Sequence, residues 1–192
     1  MGEAASLFAM TPGEFLAWEA KQAERHEYVA GDVFSMAGAE DRHVTVAGNC
    51  YIALRRHLAG TPCRTYMSDM KLGVAAADSY FYPDVLVTCS AADHASALIK
   101  YEAKLLIEVL SPRTAAYDRG DKFADYRLVP TLAEFVLIDI DSRRTDVYRR
   151  GGDGLWVLHP FDAGDTVELT SVQLQITADE LFAEVEPPAA VS

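Results

Sequence analysis

Positive charge is scarce in this chain: 17 lysines and arginines stand against 29 acidic residues, for a formal net charge of −12. Phosphate backbones are gripped mainly through Lys and Arg, so this balance excludes binding to nucleic acid by bulk charge alone. A nucleic-acid partner would need a bound cation and a local basic face, for which Arg55-Arg56-His57 and Arg143-Arg144 with Arg149-Arg150 are the candidates. Cysteine is equally sparse. Cys50, Cys63 and Cys89 form no Cys-x-x-Cys pair, which excludes a structural zinc knuckle and argues against a disulfide frame. Three reduced, buried thiols are expected. No apolar run approaches the roughly 18 residues that span a bilayer, and Met1 to Met10 carries Glu3 without a basic leader, so neither a membrane partner nor export is expected and the cytoplasm is the default. The five histidines are scattered singly. Nothing matches a His-Glu-x-x-His helix, a glycine loop for phosphates, or a serine or cysteine nucleophile with its base.

What is present is a chain of 192 residues, half of them hydrophobic, long enough to bury a substantial core. One domain over 1–192 is expected, with an ordered core over about 11–184 and a disordered tail over about 186–192. Met10-Thr11-Pro12-Gly13-Glu14-Phe15 combines an N-cap threonine, a first-turn proline, a capping-box glutamate and a Met10–Phe15 staple, so a helix starts there and runs to about Gln22. Glu27 to Phe34 predicts a hairpin around Gly31. Apolar Val44, Ala47, Tyr51, Leu54 and Leu58 predict a second helix over 42–58 that covers a sheet. Strands are expected near 63–67, 71–74, 82–88, 105–110, 134–139, 145–149, 155–160 and 173–177, with a loop over 90–96 and a turn at Gly151-Gly152-Asp153-Gly154. The fold class is α/β, with a mixed, curved central sheet flanked by helices and additional C-terminal antiparallel strands. Tyr148 and Trp156 on the late strands offer a possible homodimer face or ordinary core packing.

The most informative residues are two acids on apolar strands, Asp84 in Tyr82-Pro83-Asp84-Val85 and Glu108 in Leu105-Leu106-Ile107-Glu108-Val109-Leu110. An ionised carboxylate taken out of water loses several kcal/mol of hydration and needs a metal, a cation or a proton beside it. Helical spacing then sets Asp118, Lys122 and Tyr126 on one face just after the second strand, so Lys122 can reach Glu108. Two acids and a lysine in that arrangement suit a Mg²⁺ or Mn²⁺ ion activating water at a phosphodiester. Two plainer readings use the same residues. Asp84 can cap a backbone amide, and Glu108 with Lys122 can be a buried salt bridge that holds helix to sheet.

Tyr82-Pro83-Asp84-Val85, Glu108-Val109-Leu110-Ser111-Pro112, Tyr117-Asp118-Arg119-Gly120-Asp121-Lys122-Phe123 through Tyr126-Arg127, and the hairpin Glu27 to Val33 together resemble the Uma-type restriction endonuclease family of the PD-(D/E)XK nuclease superfamily. The resemblance runs from Thr11 to about Leu181. It implies a restriction-endonuclease-like core and a metal-dependent endonuclease that hydrolyses double-stranded DNA, with Asp84 and Glu108 as metal acids, Glu27 as a further ligand, and Asp84, Glu108 and Lys122 as the catalytic set. Two positions depart from the pattern: Leu110 stands where the lysine is expected, so that Lys122 looks like its migrated substitute, and Ala30 replaces the acid before the turn glycine. His43 and Asp69 match positions the family also uses, but a lone histidine near a helix start is more often structural. The alternatives are a catalytically silent module for binding or assembly and a metal-dependent hydrolase of RNA or small phosphodiesters.

Overall fold

The computed structural model describes residues 10–36, 38–112 and 114–186. The tail over 187–192 lies outside the described residues. Helix α1, Pro12–Glu19, begins as its sequence dictates: the Thr11 hydroxyl accepts from the Glu14 amide while the Glu14 carboxylate accepts from the Thr11 amide, a box worth about 1 kcal/mol. It ends three residues short of Gln22, because Lys21 and Gln22 donate into turns instead of continuing the helix. The hairpin follows, β1 (His26–Val29) and β2 (Asp32–Ser35), closed over Ala30 and Gly31, both at positive φ. That geometry suits the right-handed twist of the two strands.

Helix α2, Asp41–His57, buries Val46, Ala47, Cys50 and Leu54. Val44, expected on that face, is half exposed, since the buried stripe is centred two residues further on. Next come β3 (Arg64–Met67), β4 (Lys71–Val74), β5 (Ser79–Phe81) and β6 (Val85–Thr88). The stretch 82–88 is therefore not one strand, and Asp84 sits in a bend one residue before β6. Residues 91–95 form the short helix α3, Ala91–Ala95, in place of a loop, because the Ser90 hydroxyl accepts from the Asp93 amide and starts a turn of small residues. The chain continues through β7 (Ile99–Lys100), β8 (Ala103–Leu110), α4 (Ala115–Arg119), α5 (Asp121–Tyr126), β9 (Glu134–Asp139), β10 (Arg144–Arg150), β11 (Trp156–Phe161), β12 (Val167–Leu169), β13 (Leu174–Ile176) and α6 (Ala178–Leu181).

A six-stranded sheet, in the order β11-β10-β9-β8-β6-β3, is the centre of the molecule. It is mixed: β8 and β9 run parallel, while their other neighbours pair antiparallel. A second sheet has the order β2-β1-β5-β4-β7, and β12 pairs with β13. Strand β8 is buried on both faces. Leu105, Ile107 and Val109 pack under α2 and the C-terminal elements, whereas Leu106 and Leu110 pack with Phe81, Phe123, Tyr126 and Phe135 on the other side. Glu108 shares that second face by the period of two. Each fully buried Leu or Ile contributes about 1.5–3 kcal/mol, enough in sum to hold a charged residue in the middle of the strand. Tyr148 and Trp156 pack onto Phe123, with ring centroids 4.6 and 5.4 Å away, so core packing accounts for these aromatics. No helix among the described residues is long and apolar enough to cross a membrane.

The cysteines depart from expectation. Cys63 and Cys89 form a disulfide although they are 26 residues apart. Pairing of β3 with β6, Arg64 opposite Thr88, brings the residues just outside each strand together. Cys50 is free and buried, and burial pushes its thiol up to about 12. A crosslink closing a loop of this length is worth about 3 kcal/mol. Replacing both Cys63 and Cys89 by Ser is expected to lower the unfolding free energy by about that amount, read from a denaturant midpoint. Thiol titration of the denatured, unreduced wild type should then find Cys50 alone.

Candidate active site

Five segments deliver charged side chains to one place: β1, the bend before β6, β8, α4 and α5. Glu27 projects from β1 on the side of Val29, opposite to Tyr28, which stacks on Phe15. Its Oε1 accepts from the Tyr82 amide at 3.2 Å. Asp84 lies where the Val85↔Ile107 register, continued by one residue, sets it across from Glu108. Its Oδ2 accepts from the Val109 amide at 2.7 Å, so the plain capping bond is present. Lys122 comes from α5 and reaches Glu108 Oε1 at 2.9 Å, Glu27 Oε1 at 3.1 Å and Asp118 Oδ1 at 3.8 Å. The expected single helix is broken at Gly120 into α4 and α5. The break leaves Asp118, Lys122 and Tyr126 on one buried face, and Tyr126 donates its hydroxyl to Glu108 Oε1 at 2.7 Å.

Exposure grades across the site. The side chains of Lys122 and Glu108 are 7% and 5% exposed, while Asp84 and His43 are both 18% exposed. Solvent therefore reaches the acids past Asp84 and His43. His43, in the first turn of α2, holds its Nε2 3.3 Å from Asp84 Oδ2. Sequence reasoning gave this histidine little weight because only the packing of α2 over β8 brings it to Asp84. Asp69, its companion in the resemblance, is elsewhere, exposed and 3.7 Å from Arg25.

The charges do not balance. Glu27, Asp84, Glu108 and Asp118 surround one lysine and one histidine. Burial, partly opposed by Lys122 and reinforced by Asp84 and Asp118, pushes the Glu108 carboxyl up to about 8. Burial also raises the Asp118 carboxyl. On Lys122 burial acts downward, but the attraction of Glu108, Glu27 and Asp118 outweighs it and holds the ammonium well above its ordinary range. The lysine is charged, and the acids still lack positive charge. Glu134 makes the contrast. It too is a buried strand acid, yet Arg149, both donors of Thr170 and the Ser171 amide satisfy it completely.

Hard carboxylate oxygens on an under-neutralised, partly open site suit a divalent cation. Among the described residues no cluster of three or more His, Cys, Asp or Glu side chains is arranged to hold a metal. A closed protein cage is therefore absent there, and an ion held by Asp84 and Glu108 would keep water ligands, as Mg²⁺ commonly does.

Of the arginines expected to make a basic face over 143–150, two are paired with acids and two donate only to backbone carbonyls. Arg149 is bound to Glu134 and to the Glu168 carbonyl, Arg150 to the carbonyls of Arg127, Val129 and Pro130, Arg143 to the Val185 carbonyl, and Arg144 to Asp146. Arg55 and Arg56 are exposed, but at roughly 1.5 Å per residue they lie about 18 Å along α2 from His43. Sequence reasoning also missed a second buried charge group. Lys71 Nζ and the Tyr82 hydroxyl both approach the Glu19 carboxylate at 2.5 Å. Burial acts against the Glu19 charge, but these bonds leave its carboxyl below the usual range.

The fold is α/β, with mixed sheets flanked by helices. A solved structure with this architecture is that of a "putative nuclease belonging to DUF820" from Anabaena variabilis ATCC 29413, similar at a TM-score of 0.74 and 19% identity over 90% of this chain and 97% of that one. The family model described as "Putative restriction endonuclease", Uma2, matches residues 12–179, and the chain belongs to that family. Two relatives, both from Synechocystis sp. (strain ATCC 27184 / PCC 6803 / Kazusa), carry the names "Uncharacterized protein slr1290" and "Uncharacterized protein sll1609". The first is 35% identical over 90% of this chain and 91% of the relative. The second is 33% identical over 78% of this chain and 85% of the relative.

Proposed function

We propose that this protein is a metal-dependent endonuclease that hydrolyses phosphodiester bonds of double-stranded DNA in the cytoplasm, with Mg²⁺ or Mn²⁺ held by Asp84 and Glu108. The observation that carries the reading is the charge deficit around Glu108, a buried carboxyl whose one close cation is already shared with Glu27 and Asp118. When bound, the ion would polarise the phosphoryl group and lower the pKa of a water at neutral pH. Asp84, fixed by the Val109 amide, presents its carboxylate at the open side of the site. Lys122 keeps its proton and supplies a fixed positive charge for the oxyanion that grows on phosphorus, a task that suits a point charge on a flexible stem. Glu27 assists by holding the ammonium, 3.1 Å away, and Tyr126 orients Glu108 from the other side. Duplex cleavage would need two such sites, so a homodimer belongs to the proposal, and edge strand β11 leaves Val157 and Leu158 exposed for it.

One observation favours a catalytically silent module instead: Lys122 is already engaged by three acids, so no free ammonium faces a substrate. Calorimetry separates the two. A nuclease should bind Mn²⁺ or Mg²⁺ at millimolar concentration or below and nick supercoiled DNA with either ion. Absence of heat with both ions would leave the silent module as the account. The low basic charge favours a smaller or single-stranded substrate, and competition by RNA or a small phosphodiester at fixed salt decides between that and duplex DNA.

A further inference from the structure

Strands β8 and β9 run parallel and finish side by side, with Leu110 opposite Asp139, while β6 begins on the other side of β8, with Val85 opposite Ile107. Asp84 and the turn after β9 therefore lie along one edge of the sheet. At about 4.8 Å per strand spacing they are about 10 Å apart. Two arginines reach that turn from helices packed on opposite faces of the sheet. Arg42, in the first turn of α2, donates Nη1 to Asp141 Oδ1 at 3.0 Å. Arg119, the last residue of α4, has its Nη2 3.8 Å from Asp139 Oδ2. Asp139 Oδ1 accepts from the Asp141 amide at 3.1 Å, so one turn holds both guanidinium groups. Each is also tied to the acidic site by its neighbour in the chain. His43, next to Arg42, faces Asp84, and Asp118, next to Arg119, faces Lys122.

These contacts leave both arginines available. The Arg42 and Arg119 side chains are 33% and 38% exposed, that of Asp141 is 66% exposed, and ion pairs this open to water contribute little. Among the described residues Nε and Nη2 of Arg42 have no hydrogen-bond partner. Those two atoms form the side-on edge of the guanidinium, the edge that grips a phosphate with two parallel bonds. Both are covered by protein, so the grip requires the side chain to turn outward, and the bond to exposed Asp141 restrains that turn only weakly. Unsatisfied donors favour the move, because a covered N–H without an acceptor costs free energy that a phosphate oxygen restores. We infer that Arg42 and Arg119 form an anion site that clamps the phosphodiester backbone of a DNA duplex about three nucleotides from the bond presented to Asp84 and Glu108. The inference rests on the nuclease reading above. It supplies the local positive charge that a chain of net charge −12 needs to hold such a substrate.

The test reads binding and not turnover: anisotropy of a fluorescein-labelled DNA duplex titrated with the full chain in Ca²⁺, repeated over a range of salt concentrations. Arg42→Gln and Arg119→Gln should each weaken binding roughly threefold to tenfold and lower the slope of log K against log salt by about one, and the double variant should lower it by about two. A structural role alone would leave that slope unmoved. Arg42→Lys should keep the slope and still lose affinity, because the charge stays and the planar fork goes. Asp141→Asn should tighten binding by releasing Arg42. Arg55→Gln with Arg56→Gln, far along α2, should change neither slope nor affinity. A wild type that binds duplex while the double arginine variant binds it equally well, or an equal fall in slope in the Arg55 and Arg56 control, would overturn the anion site and leave the nuclease reading standing. Binding with the expected slopes but no cleavage in Mg²⁺ or Mn²⁺ would keep the anion site and remove the nuclease reading. A wild type that binds no duplex would overturn both.

Discussion

Asp84→Asn and Glu108→Gln are each expected to slow Mg²⁺-dependent DNA cleavage by at least about a thousandfold, a loss of about 4 kcal/mol of transition-state stabilisation. Glu108→Gln should do so at little cost in stability. An amide oxygen can still accept from Tyr126 and Lys122. The change in unfolding free energy should stay within about 1 kcal/mol, because the hydrogen bonds survive and Lys122 keeps Glu27 and Asp118. A purely structural salt bridge requires the reverse, a folding loss of about 3–5 kcal/mol with nothing to lose in catalysis. Cleavage rate and denaturant midpoint on the same preparation separate the two, and residual cleavage equal to wild type would expose a contaminant.

The raised Glu108 carboxyl also fixes a sign. Between its unfolded value near 4.5 and about 8 the folded protein holds a proton that the unfolded chain has released. Metal-free protein therefore loses stability from this group as pH rises through that window. Lys122, raised above its own ordinary value, adds no slope there. Melting temperatures of metal-free protein at pH 5 and pH 8 should show the decline. The Glu108→Gln variant should make it shallower, His43 and Asp118, both raised, keeping part of it, and saturating Mn²⁺ should oppose it, since the ion would displace the proton.

How far the sequence reaches is clearest at the acids themselves. Glu108 is legible because an uninterrupted apolar run leaves a carboxylate no solvent, and Lys122 follows from helical spacing that survives even the break at Gly120. β9 is predicted residue for residue, since Glu134 to Asp139 is a buried run bounded by polar turns. Asp84 is less legible. The Pro83-Asp84 bend interrupts what reads as one strand, and only the β6–β8 register shows which acid it faces. His43, the disulfide and the Glu19–Lys71 pair escape local pattern altogether, because each joins segments that meet only through tertiary packing. The partners of the arginines escape it too: of the four within eight residues, Arg144 and Arg149 pair with acids while Arg143 and Arg150 donate to backbone carbonyls.

Lys71→Met is expected to cost about 3–5 kcal/mol of stability, the usual loss when one member of a buried ion pair is removed. Glu19 would keep the Tyr82 hydroxyl and the His26 amide in low-dielectric surroundings. Glu19→Gln should cost less. The stranded ammonium retains the faces of Phe15, Tyr80 and Tyr82, at 5.4, 5.8 and 5.6 Å from their centroids, and cation–π attraction of roughly 1–2 kcal/mol offsets part of the loss. The double variant Glu19→Leu with Lys71→Met should return to within about 1 kcal/mol of wild type, since apolar replacement of both partners removes the desolvation cost. Cleavage should not return with it. The Tyr82 hydroxyl is held by Glu19 while its backbone amide holds Glu27, so the network fixes the segment that carries Pro83 and Asp84. A displacement of about 1 Å there is worth up to roughly a hundredfold in rate. Recovered stability with cleavage still slowed would assign the buried pair to positioning of the site, and full recovery of both would reduce it to packing.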